Sequence, residues 1–420
     1  MTTSVIRAGG TGVAGVQTTG GDDGALSLKV GPLSTTVEAL SITSAGAATL
    51  ASTLAITGDL TANNFAGRNR IIGGDFSTNP WQRGTSFAAI ANTAYFADRW
   101  RANHIMASAI TASKAADAPT AAQAGIYTSH CLSLAVTTAD TSIAAADFFA
   151  IQQLIEGLNT TSFGFGQAGS RNVTLSFWVK GTKTGIHCVS IRNSANNRQY
   201  AAEYTIDSTN TWEYKTITIP VDTTGTWLYD TGMGLAVSFL LAAGTNYHIT
   251  ANTWTASSAF SASTSNQVNA LDSTSNIFKI ALVQLEAGSS ATTFDARSVG
   301  DELALCQRYY YRVTSQVGGD YVVPSVFGIA ATQVLGSVEF PVTMRTRPTA
   351  LEQSGTATDY VVLRAGHGTG AVCSAVPAYN IAGITNASLL FTVASGLSNG
   401  SAGAVYAANT SAYLGFSAEL

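Results

Sequence analysis

Charge is scarce in this 420-residue chain: only 11% of its residues are Asp, Glu, Lys or Arg, and the formal net charge is −4. Globular chains usually carry about 25%. Such a surface gives little electrostatic steering, which argues against a wide basic face and against nucleic acid as a partner. Cysteine is sparse too. Cys131, Cys188, Cys306 and Cys373 stand far apart, with no CxxC pair and no Cys/His spacing. The five histidines form neither HxH nor HExxH, so no metal site is expected. No glycine run is followed by Lys and Ser or Thr, and no cofactor is expected. Long apolar runs are missing as well, which speaks against membrane insertion. The opening MTTSVIRAGGTGVAGVQTTGG lacks the apolar stretch of a secretory signal.

In place of charge the chain has Ala, Thr, Ser, Asn and 40 Gly, together with 15 Tyr, 17 Phe and 6 Trp. Disordered chains have few aromatics and high net charge. The composition therefore describes an ordered, all-β protein with a neutral, hydroxyl-rich surface.

Residues 1–67 contain one aromatic, Phe65. Aligning LSLKVGPLSTTVEA, LSITSAGAATLAST and LAITGDLTANNFAG gives a period of 14 residues, in which Leu26, Leu40 and Leu54 coincide, as do Leu28, Ile42 and Ile56. Each repeat reads as a short alternating strand and a turn of small residues. Those anchors are too few for a monomeric core, and repeats of this kind gain stability by stacking or pairing between chains. Three chains around one axis would bury the rows, giving a trimeric fibrous stem. The alternative is a linker whose repeat is accidental.

From Arg68 aromatics return, and residues 68–300 read as a β-sandwich or jelly roll. Strands are expected at Val173–Lys180, Ile186–Arg192, Tyr200–Ile206, Trp212–Ile219, Gly234–Leu241 and Ile277–Leu285. Ala146–Leu158 is compatible with a short helix. Residues 301–420 begin with an acidic, apolar-periodic segment, Asp301–Tyr311, expected as a helix, and continue as a C-terminal β domain. Strands are expected there at Ser337–Val342, Thr358–Arg364, Ser388–Val393 and Ala412–Ser417.

Several strings in these regions are similar to one family. They are Arg70-Ile71-Ile72-Gly73-Gly74-Asp75-Phe76, Trp81-Gln82-Arg83-Gly84 and Phe96-Ala97-Asp98-Arg99-Trp100 near the start. Phe177-Trp178-Val179-Lys180, Val283-Gln284-Leu285-Glu286-Ala287-Gly288 and Glu302-Leu303-Ala304-Leu305-Cys306-Gln307-Arg308-Tyr309-Tyr310 follow, and Gly415-Phe416-Ser417-Ala418-Glu419-Leu420 ends the chain. Together they resemble bacteriophage tail fibre and tail spike proteins with a carbohydrate-binding-module-like jelly roll. The resemblance implies adhesion, a homotrimer and a place on the virion. An outward-facing composition without an export signal fits synthesis in the host cytoplasm and release by lysis. The resemblance also implies other virion proteins as partners of the N-terminal region and host surface polysaccharide as receptor.

Sugar binding needs an aromatic platform with polar groups beside it. Trp212, Trp227 and Trp254 lie near turns and are the candidates for it, whereas Trp100 and one of Phe177 and Trp178 are expected in the core. Arg308 and Tyr310, on the expected helix, are candidates for a trimer interface with the six stem anchors. No catalytic residue is assigned. Asp98 beside Arg99 reads as a structural ion pair, and Gly396-Leu397-Ser398-Asn399-Gly400 as a turn with no His beyond it. A polysaccharide-degrading spike, with two facing carboxylates, and a purely structural collar or head fibre are the alternatives to an adhesin.

Overall fold

The computed structural model describes backbone at residues 17–20, 26–30, 37–42 and 48–50, and residues 67–420 apart from 258–259 and 365–368. The chain forms two compact units, Met1–Thr61 and Ala62–Leu420.

In the first unit, β1 (Gln17–Gly20), β2 (Leu26–Val30), β3 (Val37–Ile42) and β4 (Ala48–Leu50) form an antiparallel sheet in sequence order. Its register sets Leu26 opposite Ile42 and Leu28 opposite Leu40, but the strands do not keep the 14-residue period, since β4 falls where the second repeat is expected to turn. These pairs join successive repeats of the same chain. Leu54 and Ile56 lie outside the described residues.

The second unit starts with a two-sheet sandwich. Its strands are β5 (Ser86–Phe87), β6 (Trp100–Ile105), β7 (Ala109–Ala115), β8 (Cys131–Thr138), β9 (Phe148–Glu156), β10 (Val173–Gly181), β11 (Gly185–Arg192), β12 (Gln199–Ile206), β13 (Glu213–Ile219), β14 (Met233–Ala243) and β15 (Ile277–Ala287). A single turn of helix, α1 (Ala121–Ala124), precedes β8. One sheet has the order β13-β10-β15-β8-β7-β5, the other β12-β11-β14-β9-β6. Their inner faces share one core, built on Trp100, Phe149, Phe177, Phe239 and Leu285.

The short helix expected at Ala146–Leu158 is instead β9, buried along its whole length. Phe149, Ile151 and Ile155 face the sandwich core, while Phe148 and Ala150 pack outward against Leu240, Ala262 and Phe260. A strand covered on both faces loses the apolar–polar alternation and reads like a helix.

The Gly73-Gly74 pair is demanded by close approach. Gly73 has φ +67°, and a side-chain carbon at Gly74 would collide with the Val283 carbonyl on β15.

After β15 comes α2 (Val299–Gln307), capped by the Ser298 hydroxyl on the Asp301 amide, 3.2 Å. Asp301 and Glu302 sit in its first turn. The helix ends before the tyrosines, so the expected extension to Tyr311 does not form. Tyr310 opens β16 (Tyr310–Thr314), as suits an aromatic run followed by Val and Thr. The chain continues through β17 (Tyr321–Ala330), β18 (Gln333–Glu339), β19 (Leu351–Gln353), β20 (Tyr360–Arg364), β21 (Ala371–Ala382), β22 (Asn386–Val393), β23 (Ala402–Ala407) and β24 (Tyr413–Ser417). Strands β17-β18-β22-β21-β20-β23 close a barrel, and β16-β24-β19 form a small sheet. The sequence reading missed β17 and β21. Each contains a proline, Pro324 or Pro377, at a register shift where alternation breaks.

Several of the strings that carry the resemblance meet between sandwich and small sheet. Gln82 Nε2 donates to Asp98 Oδ1, 2.7 Å, and to the Tyr310 carbonyl, 2.8 Å. Arg99 pairs with Glu419, not with Asp98 as the sequence suggested. The Arg83 guanidinium lies 3.4 Å from the centre of the Tyr310 ring. Glu302 accepts from the Gly73 amide and pairs with Arg297, 3.1 Å. These residues hold the junction together.

Candidate functional site

Alternation along β10 sends Leu175, Phe177 and Val179 into the core, and therefore Ser176, Trp178 and Lys180 to the outer face of the six-stranded sheet. Trp178 pairs directly with Tyr214 on β13. Their ring centres are 5.4 Å apart, inclined at 41°. Tyr214 is 45% exposed.

The neighbouring strand on the other side, β15, has a bulge between the Ser176 and Trp178 pairings. Ile280 and Val283 point into the core, so both Ala281 and Leu282 are turned outward, where they pack with Trp178 and Phe294. Leu282 has φ +50°, a left-handed conformation strained for a branched residue. Bulges re-aim side chains in this way beside functional sites.

Two walls enclose the platform. One is α1 with Gly125, whose capping box joins Thr120 and Gln123 in both directions. The other is Ala291–Phe294. Glu286 on β15 holds it by accepting from the Thr292 amide, 2.8 Å, and hydroxyl, 2.7 Å. Gln284 adds a bond from the Asp295 amide, 2.7 Å. The result is an open groove of about 610 Å³ lined by Ser176, Trp178, Tyr214, Thr216, Leu282, Gln123, Thr292 and Phe294, among others. None of its lining residues is charged.

Further along the same face, Asp117 accepts from Lys279, 2.6 Å, Lys180, 3.0 Å, and the Trp212 indole, 3.1 Å. Burial would raise the Asp117 pKa, but these hydrogen bonds outweigh it and bring it down to about 2.

Such a groove can take the flat, CH-rich face of a sugar ring on Trp178 and Tyr214 and meet its hydroxyls with Ser, Thr and Gln. No family model matches the chain, and no curated protein matches it. Some solved structures are distantly similar. One is the enzymatically active domain of tailspike protein 4 of bacteriophage CBA120, at 14% identity and TM-score 0.28, covering 52% of this chain and 21% of that one. Another is TmCBM61 in complex with β-1,4-galactotriose, at 11% identity and TM-score 0.26, covering 53% of this chain and 100% of that one. A third is the family 11 carbohydrate-binding module of the cellulase Lic26A-Cel5E of Clostridium thermocellum, at 11% identity and TM-score 0.27, covering 49% and 97%. The match spans about a fifth of the tailspike domain's own length. Function is therefore read from the groove and not from these likenesses.

Of the expected platform residues, Trp227 and Trp254 come together and Trp212 stands apart. Trp227 and Trp254 lie 5.7 Å from each other, nearly perpendicular, around Phe165, and both pack against the sandwich core. Their indole N–H groups donate to the carbonyls of Thr224, 2.8 Å, and Pro220, 2.9 Å. Trp212 joins the cluster behind the groove through Asp117. The sequence reading missed Trp178 and Tyr214 as a pair, although strict alternation in VTLSFWVK already turned Trp178 away from Phe177.

Arg308 and Tyr310 are engaged within the chain. Arg308 pairs with Glu156, and Tyr310 is fully buried with its hydroxyl on Glu352, 2.8 Å.

The thiols of Cys131 and Cys373 are pushed up to about 12 by burial, and those of Cys188 and Cys306 are raised by the same cause. Among the described residues no group of three or more His, Cys, Asp or Glu could hold a metal ion. No helix among them is long and apolar enough to cross a membrane.

Proposed function

We propose that this chain is a glycan-binding adhesin, which takes uncharged stretches of a surface polysaccharide into the groove on the six-stranded sheet. The observation that carries the reading is the Trp178–Tyr214 pair, half-exposed on the floor of a walled groove that no charged residue lines. Trp178 and Tyr214 form the platform, while Ser176, Thr216 and Thr292 offer hydroxyls to the sugar. The resemblance of the junction strings to phage tail proteins supports a place on a virion appendage, as a homotrimer attached through the N-terminal region. Three such grooves on one trimer would gain avidity from weak single sites.

Hydrolysis needs two carboxylates across the bound sugar. The groove lacks them, which favours binding over cleavage. The deciding experiment adds purified full-length protein to extracted host polysaccharide and measures binding and reducing-sugar release together. Saturable binding without release, weakened about tenfold or more by Trp178→Ala, is expected from loss of a stacking contact. Release of oligosaccharide would overturn the adhesin. Absence of any binding would shift the reading to a structural collar or head fibre.

A further inference from the structure

The outer face of the five-stranded sheet carries a second recess, of about 460 Å³. Phe148 on β9 meets Tyr247 at 4.7 Å and Phe260 at 4.9 Å between ring centres, forming an aromatic wall. Arg192, at the end of β11, lines the recess with its guanidinium 5.4 Å from the centre of the Phe260 ring. It is only 8% exposed. Its Nη1 donates to Asn196 Oδ1, 2.9 Å, and its buried Nε has no partner.

Among the described residues Arg99 and Arg192 are the buried arginines, and Arg192 is the one of the two without a counter-charge. Arg99, Arg198 and Arg308 each pair with a carboxylate, whereas no described carboxylate forms an ion pair with Arg192. The charge that does act on it is another cation, Arg101 on β6. Burial, with a smaller contribution from Arg101, lowers the Arg192 pKa to about 10, which leaves it charged at neutral pH. A buried, uncompensated cation is costly to a fold. An incoming anion would remove that cost, and guanidinium geometry suits a carboxylate.

We infer that this recess binds a carboxylate-bearing sugar, with Arg192 taking the carboxylate and the Tyr247–Phe260 wall taking the ring. Asn103 and Asn246, also in its lining, are amides of the kind that meet sugar hydroxyls. A bare phosphate would satisfy the charge but leave the aromatic wall without a ring to cover. The site lies on the other sheet from the Trp178 groove and does not depend on it.

The test titrates the full chain with trigalacturonate, its methyl ester and inorganic phosphate, followed by calorimetry. Trigalacturonate is expected to bind with Kd of about 1 mM, as suits one charged contact and one stacked ring. Affinity is expected to fall on the order of tenfold for the uncharged ester and for Arg192→Gln, and several-fold for Tyr247→Ala. Thermal melting checks the fold of both variants, and the ester comparison needs no variant. Equal binding of the ester, unaltered affinity in Arg192→Gln, or no binding at about 10 mM overturns the inference. Phosphate binding as tightly as trigalacturonate overturns its sugar component.

Discussion

Glu156 meets the guanidinium of Arg308 with both carboxylate oxygens, at 2.6 and 2.9 Å, across 152 residues of chain. The Tyr309 hydroxyl donates to the same carboxylate, 2.6 Å. Glu156 closes β9 of the sandwich, and Arg308 follows α2, so the pair ties the sandwich to the strands beyond it. Its carboxylate is almost fully buried, at 1% exposure.

Removing one partner of such a pair strands the other in a low-dielectric site. Arg308→Ala, which leaves the buried Glu156 carboxylate without its counter-charge, is therefore expected to cost about 3–5 kcal/mol in urea denaturation. Glu156→Met combined with Arg308→Met should recover a large part of that loss. A single substitution that leaves the denaturation midpoint unchanged would contradict the role given to the pair.

Asp117 supplies the pH dependence. Its pKa of about 2 in the folded chain lies below the ordinary value of about 3.9. A depressed pKa contributes stability above the unfolded value, and that contribution is lost as pH falls through the folded one. Wild type should exceed Asp117→Asn by about 1 kcal/mol at neutral pH, since the site is partly exposed and screened. The gap should close between about pH 4 and pH 2. Melting temperatures of the two proteins across that range test it.

The four thiols offer a simple readout of order. All are buried and all have raised pKa values, so little thiolate forms at neutral pH. The native protein is expected to be inert to a thiol-exchange dye, with all four cysteines reacting only in denaturant. Fast reaction of any one in the native state would show local opening around it.

Assembly is tested at the repeat. The full chain is expected to be a trimer by light scattering at micromolar concentration, and Leu40→Asp with Ile42→Asp to be monomeric. Backbone pairing already sets Leu40 opposite Leu28 and Ile42 opposite Leu26 within one chain. A wild-type monomer would remove the reason for a trimeric stem.

Much of the sandwich was legible because its strands alternate. VTLSFWVK and IFKIALVQL each send one side inward, and both are strands within two residues of the expected ends. The groove was less legible, since its floor depends on a bulge that turns Leu282 outward and its far wall on Glu286 and Gln284. Neither follows from local pattern. Prominent tryptophans near turns drew attention to Trp227 and Trp254, yet turn position does not reveal that the two pack together against Phe165. The solitude of Arg192 is likewise a fact about the whole fold, because only tertiary structure tells which carboxylates are out of reach.

The pairing of Arg99 with Glu419 spans 320 residues. On the ribosome, the strand that follows Arg99 is made long before Glu419, so the nascent sandwich must carry a buried guanidinium without its ion-pair partner or wait. Closure of the sandwich is thus tied to synthesis of the segment that carries Glu419, and a product cut short before it would keep Arg99 without its ion-pair partner.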